Sequence, residues 1–144
     1  MSTRRPLEIV RPFTVQTYDI DYARHVNNQV YIRWLEDLRM AFLDAYCPLR
    51  ELESLGSVPV LFSTHIEYRR PVVIFEAVHG HMWLEELGRT AYTLGAEFVV
   101  EGAARCIARQ RGMLIKLETS RPARWPKHLV DDYHRDHTQE TPGA

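Results

Sequence analysis

Residues 18–48 read YDIDYARHVNNQVYIRWLEDLRMAFLDAYCP, and two patterns meet inside them. In the second half Tyr31, Trp34, Leu35, Leu38, Phe42, Ala45 and Tyr46 recur at intervals of three and four, the period of one helix face. Pro48 ends the run, because it has no amide hydrogen to donate and pushes its predecessor out of the α region. The spacing predicts a helix from about Asn28 to Cys47, roughly 30 Å long at 1.5 Å per residue. In a chain of 144 residues such a helix is expected to be the central element. The first half is of another kind: Asp19, Asp21, Arg24, His25, Asn27 and Asn28 crowd directly before the helix.

Upstream, Glu8–Thr17 (EIVRPFTVQT) is β-branched and interrupted by Pro12, which suits a first or edge strand where no ladder donor is needed. Downstream, everything from Val58 to Glu118 reads as strand: 58–70, 72–87, 90–101 and 103–118. Arg70-Pro71, Leu87-Gly88 and Glu101-Gly102 punctuate these runs. Connections this short imply antiparallel neighbours, since a parallel crossover takes a dozen residues or more. Ser120–Pro126 (SRPARWP) is a loop, residues 126–135 suit a short terminal helix, and 137–144 are polar and expected to fray. An apolar sheet face must be covered, and one long helix is available to cover it. The expected class is α+β, an antiparallel sheet wrapped around one central helix. The opposite sheet face is expected to carry many apolar residues as well, which favours a dimer.

Length implies a single domain over 1–144, with a core at about 8–127 and a tail at 128–144. Lys+Arg 18 against Asp+Glu 19 gives a net charge of -1, and so no global attraction to nucleic acid or anionic membrane. No run approaches the eighteen or so apolar residues of a membrane-spanning helix. Met1–Phe13 has Arg4 and Arg5 but no continuous apolar segment, so no secretory signal is read there. Cys47 and Cys106 form no CxxC and no metal-ligand spacing; two buried reduced thiols in a cytoplasmic protein are expected.

Two readings of the polar stretch stand side by side. As ordinary structure, Asn27 caps the helix and Asp21 is a solvated loop acid. As chemistry, the helix start offers unpaired N–H groups and a partial positive charge, suited to the oxyanion of a tetrahedral transition state. A carboxylate folded back beside it could attack a carbonyl or deprotonate a water that does.

The stretch DIDYARHVNNQVYIRWLEDLR resembles the signature of the hotdog-fold thioesterases of the 4-hydroxybenzoyl-CoA thioesterase type, roughly D-x-D-x-x-G-H-V-N-N-x-x-Y. Asp19, Asp21, His25, Val26, Asn27, Asn28, Tyr31, Trp34, Glu36 and Arg39 match as they stand. It is also similar to the HVNN-x-x-YI-x-W stretch of plant acyl-carrier-protein thioesterases. EYRRP (67–71), LGRTAY (87–92) and SRPARWP fit the family's strand endings, so the resemblance runs from about Arg11 to Lys127. It implies a hotdog fold, an oligomer of two or four copies, and hydrolysis of acyl-CoA or acyl-carrier-protein thioesters without a metal or redox cofactor. Carried over by position, Asp21 is the catalytic carboxylate, as nucleophile or general base. The Asn28 end of the helix polarises the carbonyl, and His25 matches a position used in some branches. Tyr31 and Trp34 would line the acyl channel, with core packing as the competing role. Arg24 stands where the family usually has Gly, which bears on the turn beside the acid. After Pro71, Phe75-Glu76 replaces the common Gly-Asp. The hydratase pattern D-x-N-P-x-H is not matched, since His25 follows Asp21 by four residues and no Asn-Pro is present.

His79 and His81 share one strand face and lack an obvious third metal ligand, and His128, His134 and His137 lie toward the C-terminal end. Between Gly102 and His128 the cations are Arg105, Arg109, Arg111, Lys116, Arg121, Arg124 and Lys127. They form either a solvated face or a phosphate-docking surface, for which Arg69 and Arg70 are the other candidates. Two alternatives to an enzyme follow: a non-catalytic acyl-CoA-binding or assembly protein of this fold, and a phosphate- or nucleic-acid-binding module on the Arg-rich strand. No P-loop or aromatic RNA-binding motif accompanies these charges.

Overall fold

The computed structural model describes residues 5–138. Helix α1 runs Asn28–Tyr46, with Cys47 as its C-cap, within one residue of the span that periodicity predicts. Asn27 is the N-cap, and its side chain accepts the Gln29 N–H at 2.9 Å. Val30, Tyr31, Trp34, Leu35, Leu38 and Phe42 are buried. Ala45 is exposed and Tyr46 half-buried, so the apolar face ends a turn earlier than the spacing suggests.

The strands are β1 (Ile9–Thr14), β2 (Ser57–Tyr68), β3 (Ala77–Leu87), β4 (Ala91–Val100) and β5 (Ala103–Lys116). They form one antiparallel sheet in the order β1-β3-β4-β5-β2. β1 is an edge strand, which is why Pro12, opposite His79, is tolerated there. α1 packs against β1 and β3. β3, β4 and β5 meander as expected. Gly88 N–H bonds the Ala91 carbonyl at 2.9 Å in one turn. Glu101 and Gly102, at φ 51° and 78°, make the other, with both central residues left-handed as a tight two-residue hairpin requires.

One expected neighbour pair is wrong. β2 pairs with β5 at the far edge and not with β3. Residues 69–76 are a crossing and not a turn, so β3 begins five residues later than the apolar run from Val72 suggests. Val72 is fully buried, its carbonyl accepts the Val26 N–H at 2.8 Å, and Phe75 sits at φ 74°, outside strand geometry. The Val72 apolar signal is therefore core burial inside a connection.

Between α1 and the sheet, Phe13, Trp34, Tyr31 and Phe98 form an aromatic cluster with ring centroids 5.1–5.8 Å apart. Gly80 makes room for it: a Cβ there would lie 2.6 Å from the Phe13 ring and 3.1 Å from Leu38. The opposite sheet face carries apolar residues, Trp83, Val99 and Ile107 among them, interleaved with charged ones. Its centre carries the ion pairs Arg109–Glu85 (2.7 Å) and Arg5–Glu97 (2.9 Å), with the Arg5 guanidinium 4.0 Å over the Trp83 ring. His81 meets Glu8 at 3.2 Å on the same face.

A short helix α2 (Leu49–Ser54), too brief to show a period, follows Pro48 directly. Helix α3 (Lys127–Thr138) extends three residues past the terminal helix expected from sequence. It therefore includes His137 and Thr138, the first residues of the stretch expected to fray; 139–144 lie outside the described residues. Among the described residues no helix is long and apolar enough to cross a membrane.

Candidate active site

The polar stretch folds into a small hairpin at the start of α1. A 3₁₀ turn, Thr17–Asp19, is followed by a bridge between Ile20 and Val26. The two acids two residues apart have different surroundings. Asp19 is buried; its carboxylate accepts the Gln16 N–H (2.8 Å) and Arg33 (3.0 Å), and its carbonyl accepts the Asn27 N–H (2.8 Å). It is therefore a structural acid that holds the helix start. Asp21 is half-buried at the hairpin's neck. Its N–H bonds the His25 carbonyl at 2.9 Å, and its Oδ1 accepts the Ala23 N–H at 2.9 Å. The second carboxylate oxygen, Oδ2, takes no hydrogen bond among the described residues.

Arg24 occupies the left-handed region at φ 66°. The turn forms here with a bulky residue, in a conformation that glycine adopts without penalty. For an ordinary L-residue that conformation costs roughly 1–2 kcal/mol.

The Asn28 backbone N–H, at the first turn of α1, takes part in none of the hydrogen bonds among the described residues, and the residue is exposed. Its carbonyl accepts the Tyr68 hydroxyl at 3.3 Å, which ties the end of β2 to the helix start. His25 is exposed, and its backbone bridges Val73. Arg69 and Arg70 follow Tyr68 on the surface. Both their N–H groups bond the Arg105 carbonyl (2.9 and 3.0 Å), and the Arg69 side chain meets Glu67 at 3.3 Å. Asp21, His25 and Asn28 are thus brought to one end of α1, with Arg69 and Arg70 on the adjoining crossing.

Tyr31 and Trp34 lie one to two turns further along α1, and the Tyr31 ring packs 5.5 Å from that of Tyr68. Both are buried in the aromatic cluster, and burial pushes the Tyr31 phenol well above its ordinary value. Trp34 also reaches an open groove with Arg11, Phe13, Tyr18, Asp19 and Arg33. A separate apolar cavity of about 210 Å³ lies against the later half of α1, among Met40, Leu43, Leu61, Leu84, Trp125 and Leu129. Neither Tyr31 nor Trp34 borders it.

Sequence reasoning missed the pair that fixes the crossing. Glu76 accepts the Val73 N–H at 2.9 Å and takes a forked contact from Arg105 at 3.1 and 3.2 Å. Arg105 also donates to the Pro71 carbonyl at 2.7 Å. The partners are 29 residues apart, and no local pattern joins them. The Val73 N–H foremost, then Arg105, holds the Glu76 carboxyl below its ordinary 4.5. A carboxyl lowered in the folded state stabilises the protein above its unfolded value, and that contribution is lost as pH falls through the folded value.

Glu76→Gln is accordingly expected to cost about 1–3 kcal/mol at neutral pH. The deficit relative to wild type should shrink in acid, and a gap that stays constant in urea melts from neutral pH to about pH 3 contradicts this role. Arg24→Gly should raise the unfolding midpoint. Relief of the left-handed strain exceeds the roughly 0.5–1 kcal/mol that glycine costs through the unfolded chain. A lowered midpoint would show that Arg24 makes compensating contacts.

Comparison with known proteins agrees with this architecture. The family model described as the thioesterase-like superfamily matches residues 15–132. A protein of Aquifex aeolicus named "Putative esterase" is 28% identical over 103 residues, which is 71% of this chain and 80% of that one. Among solved structures, a hypothetical protein of Staphylococcus aureus in complex with CoA superposes with a TM-score of 0.85 at 15% identity, covering 100% of this chain and 92% of that one. The DHNA-CoA thioesterase of Staphylococcus aureus gives 0.77 at 17% identity, covering 92% and 89%. The antiparallel sheet around one long helix is the hotdog fold of these proteins, and with the family model spanning most of its length, this chain belongs to the thioesterase-like superfamily.

Proposed function

We propose that the protein is a thioester hydrolase that cleaves acyl-CoA to a free acid and CoA thiol, with Asp21 as the catalytic carboxylate. The observation that carries this reading is that, among the described residues, one oxygen of the half-buried Asp21 carboxylate and the Asn28 N–H at the start of the following helix take no hydrogen bond. The thioester carbonyl oxygen would take the Asn28 N–H, whose hydrogen bond strengthens as negative charge develops on that oxygen. Asp21 either takes a proton from an attacking water or attacks the carbonyl carbon itself to give an anhydride that water then opens. In both routes the C–S bond breaks when the tetrahedral centre collapses, and the thiolate leaves and is protonated. His25, exposed beside the hairpin, is a secondary participant.

CoA as the thiol is favoured by the CoA-bound relative and by Arg69 and Arg70, exposed cations suited to phosphates. A homodimer, or a pair of dimers, accords with the exposed aromatic side chains that ring the site. Tyr22 is 102% exposed, Phe75 94% and Tyr18 75%, and a second protomer would cover them. The phosphate- or nucleic-acid-binding reading of the Arg-rich strand loses support, because Arg105 and Arg109 are committed to Glu76 and Glu85. The non-catalytic reading rested on Arg24, and the hairpin forms with Arg24 in place.

The test is thiol release from a panel of acyl-CoAs by wild type and by Asp21→Asn, which keeps an acceptor for the Ala23 N–H and so preserves the hairpin. Wild type should turn over at least one acyl-CoA, and the variant should lose roughly 10²–10⁴-fold in kcat with an unchanged unfolding midpoint. Absence of thiol release from every acyl-CoA would sink the hydrolase reading, and equal turnover by the variant would sink the role of Asp21 alone.

A further inference from the structure

Away from the hairpin, at the other end of α1, three chemically different side chains converge. Cys47 is the C-cap of α1, Glu51 lies in the first turn of α2, and His128 is the second residue of α3. One ligating atom from each lies within 4.8 Å of the other two, the only such group among the described residues. His128 Nε2 is 2.5 Å from a Glu51 carboxylate oxygen. Cys47 is fully buried, whereas the Glu51 and His128 side chains are 35% and 47% exposed. The thiol thus closes the inner side of a cluster whose other two members reach solvent.

We propose that Cys47, Glu51 and His128 form a binding site for a single thiophilic divalent cation of the zinc type, with its fourth position open to water. Thiolate sulfur, imidazole nitrogen and carboxylate oxygen together suit zinc, whereas magnesium and calcium take oxygen ligands. Bonds of roughly 2.0–2.3 Å in a tetrahedron hold ligand atoms roughly 3.3–3.8 Å apart. Closing the set needs shifts on the order of 1 Å, within reach of the two half-exposed side chains. Burial foremost, with the Glu51 carboxylate, pushes the Cys47 thiol up to about 12, so the metal-free thiol keeps its proton. A bound cation reverses that preference and expels the proton, as coordinating metals do.

Sequence spacing gives no metal motif here because the ligands come from three elements, with Glu51 and His128 77 residues apart. A metal would pin the start of α3 to the α1–α2 junction. Leu49 and Leu129, next to this junction, line the apolar cavity of about 210 Å³, so occupancy would also stiffen one wall of that cavity. The site is independent of the hydrolase reading, since it shares no residue with the hairpin.

The test uses the full chain, reduced and dialysed against a chelator, titrated with Co²⁺. One equivalent should produce a thiolate-to-cobalt charge-transfer band that Zn²⁺ abolishes. His128→Gln and Glu51→Gln, at half-exposed positions, should fold normally. Each should weaken Co²⁺ binding by more than the roughly 10–100-fold that loss of an outer-shell partner costs. Zn²⁺ should raise the thermal midpoint of wild type and leave that of His128→Gln unmoved. No charge-transfer band at any Co²⁺ concentration overturns the proposal. An equal band, or an equal Zn²⁺ shift, in wild type and His128→Gln overturns it too.

Discussion

The face of α1 that carries Val30, Trp34, Leu35, Leu38 and Phe42 must be kept from water, and the other elements take positions that satisfy this requirement. Burying one such side chain contributes about 1.5–3 kcal/mol, so five on one helix outweigh any single surface interaction in the molecule. β1 and β3 take the helix directly, and Gly80 lets Phe13 and Leu38 approach the sheet. With this face packed on the sheet, the core positions the first turn of the helix. A donor group at a helix start is useful to chemistry only when it is held still in this way.

The hairpin at 20–26 completes the proposed site by a local device. Asp19 and Asp21 are the same residue type two positions apart, and burial separates their roles. Asp19 accepts three hydrogen bonds that hold the entry to α1, while one carboxylate oxygen of Asp21, at the hairpin's neck, takes none among the described residues. The backbone conformation of Arg24 is a cost the hairpin carries, and the Val26–Val72 bond anchors it to the crossing. Glu76 and Arg105 in turn hold that crossing.

What could be read from the sequence follows from the range of the interactions concerned. α1 was legible because its signal repeats every turn within one short window, and the candidate site could be proposed because its residues are contiguous. The β3–β4 and β4–β5 turns were legible from Gly88 and from Glu101-Gly102. The pairing of β2 with β5 was not, since it depends on a buried Val72 in a crossing whose apolar residues look like strand. α2 was invisible because six residues cannot display a 3.6-residue period. Tyr68 on Asn28, Arg105 on Glu76 and His128 on Glu51 join residues 29 to 77 positions apart, a range at which no spacing rule operates. The charge pairs of the outer sheet face were invisible for the same reason, since Arg109 meets Glu85 across 24 positions and Arg5 meets Glu97 across 92.

The central claim is that one thioester carbonyl is held between the Asn28 N–H and the Asp21 carboxylate. Its most direct measurement is a crystal structure with an acyl-CoA analogue in which a methylene replaces the thioester sulfur, keeping the carbonyl but not the scissile bond. The account predicts the carbonyl oxygen within about 3.2 Å of the Asn28 nitrogen, and the carbonyl carbon in reach of Asp21 directly or through one water. A carbonyl seated elsewhere, with the Asn28 N–H left to solvent, would contradict it.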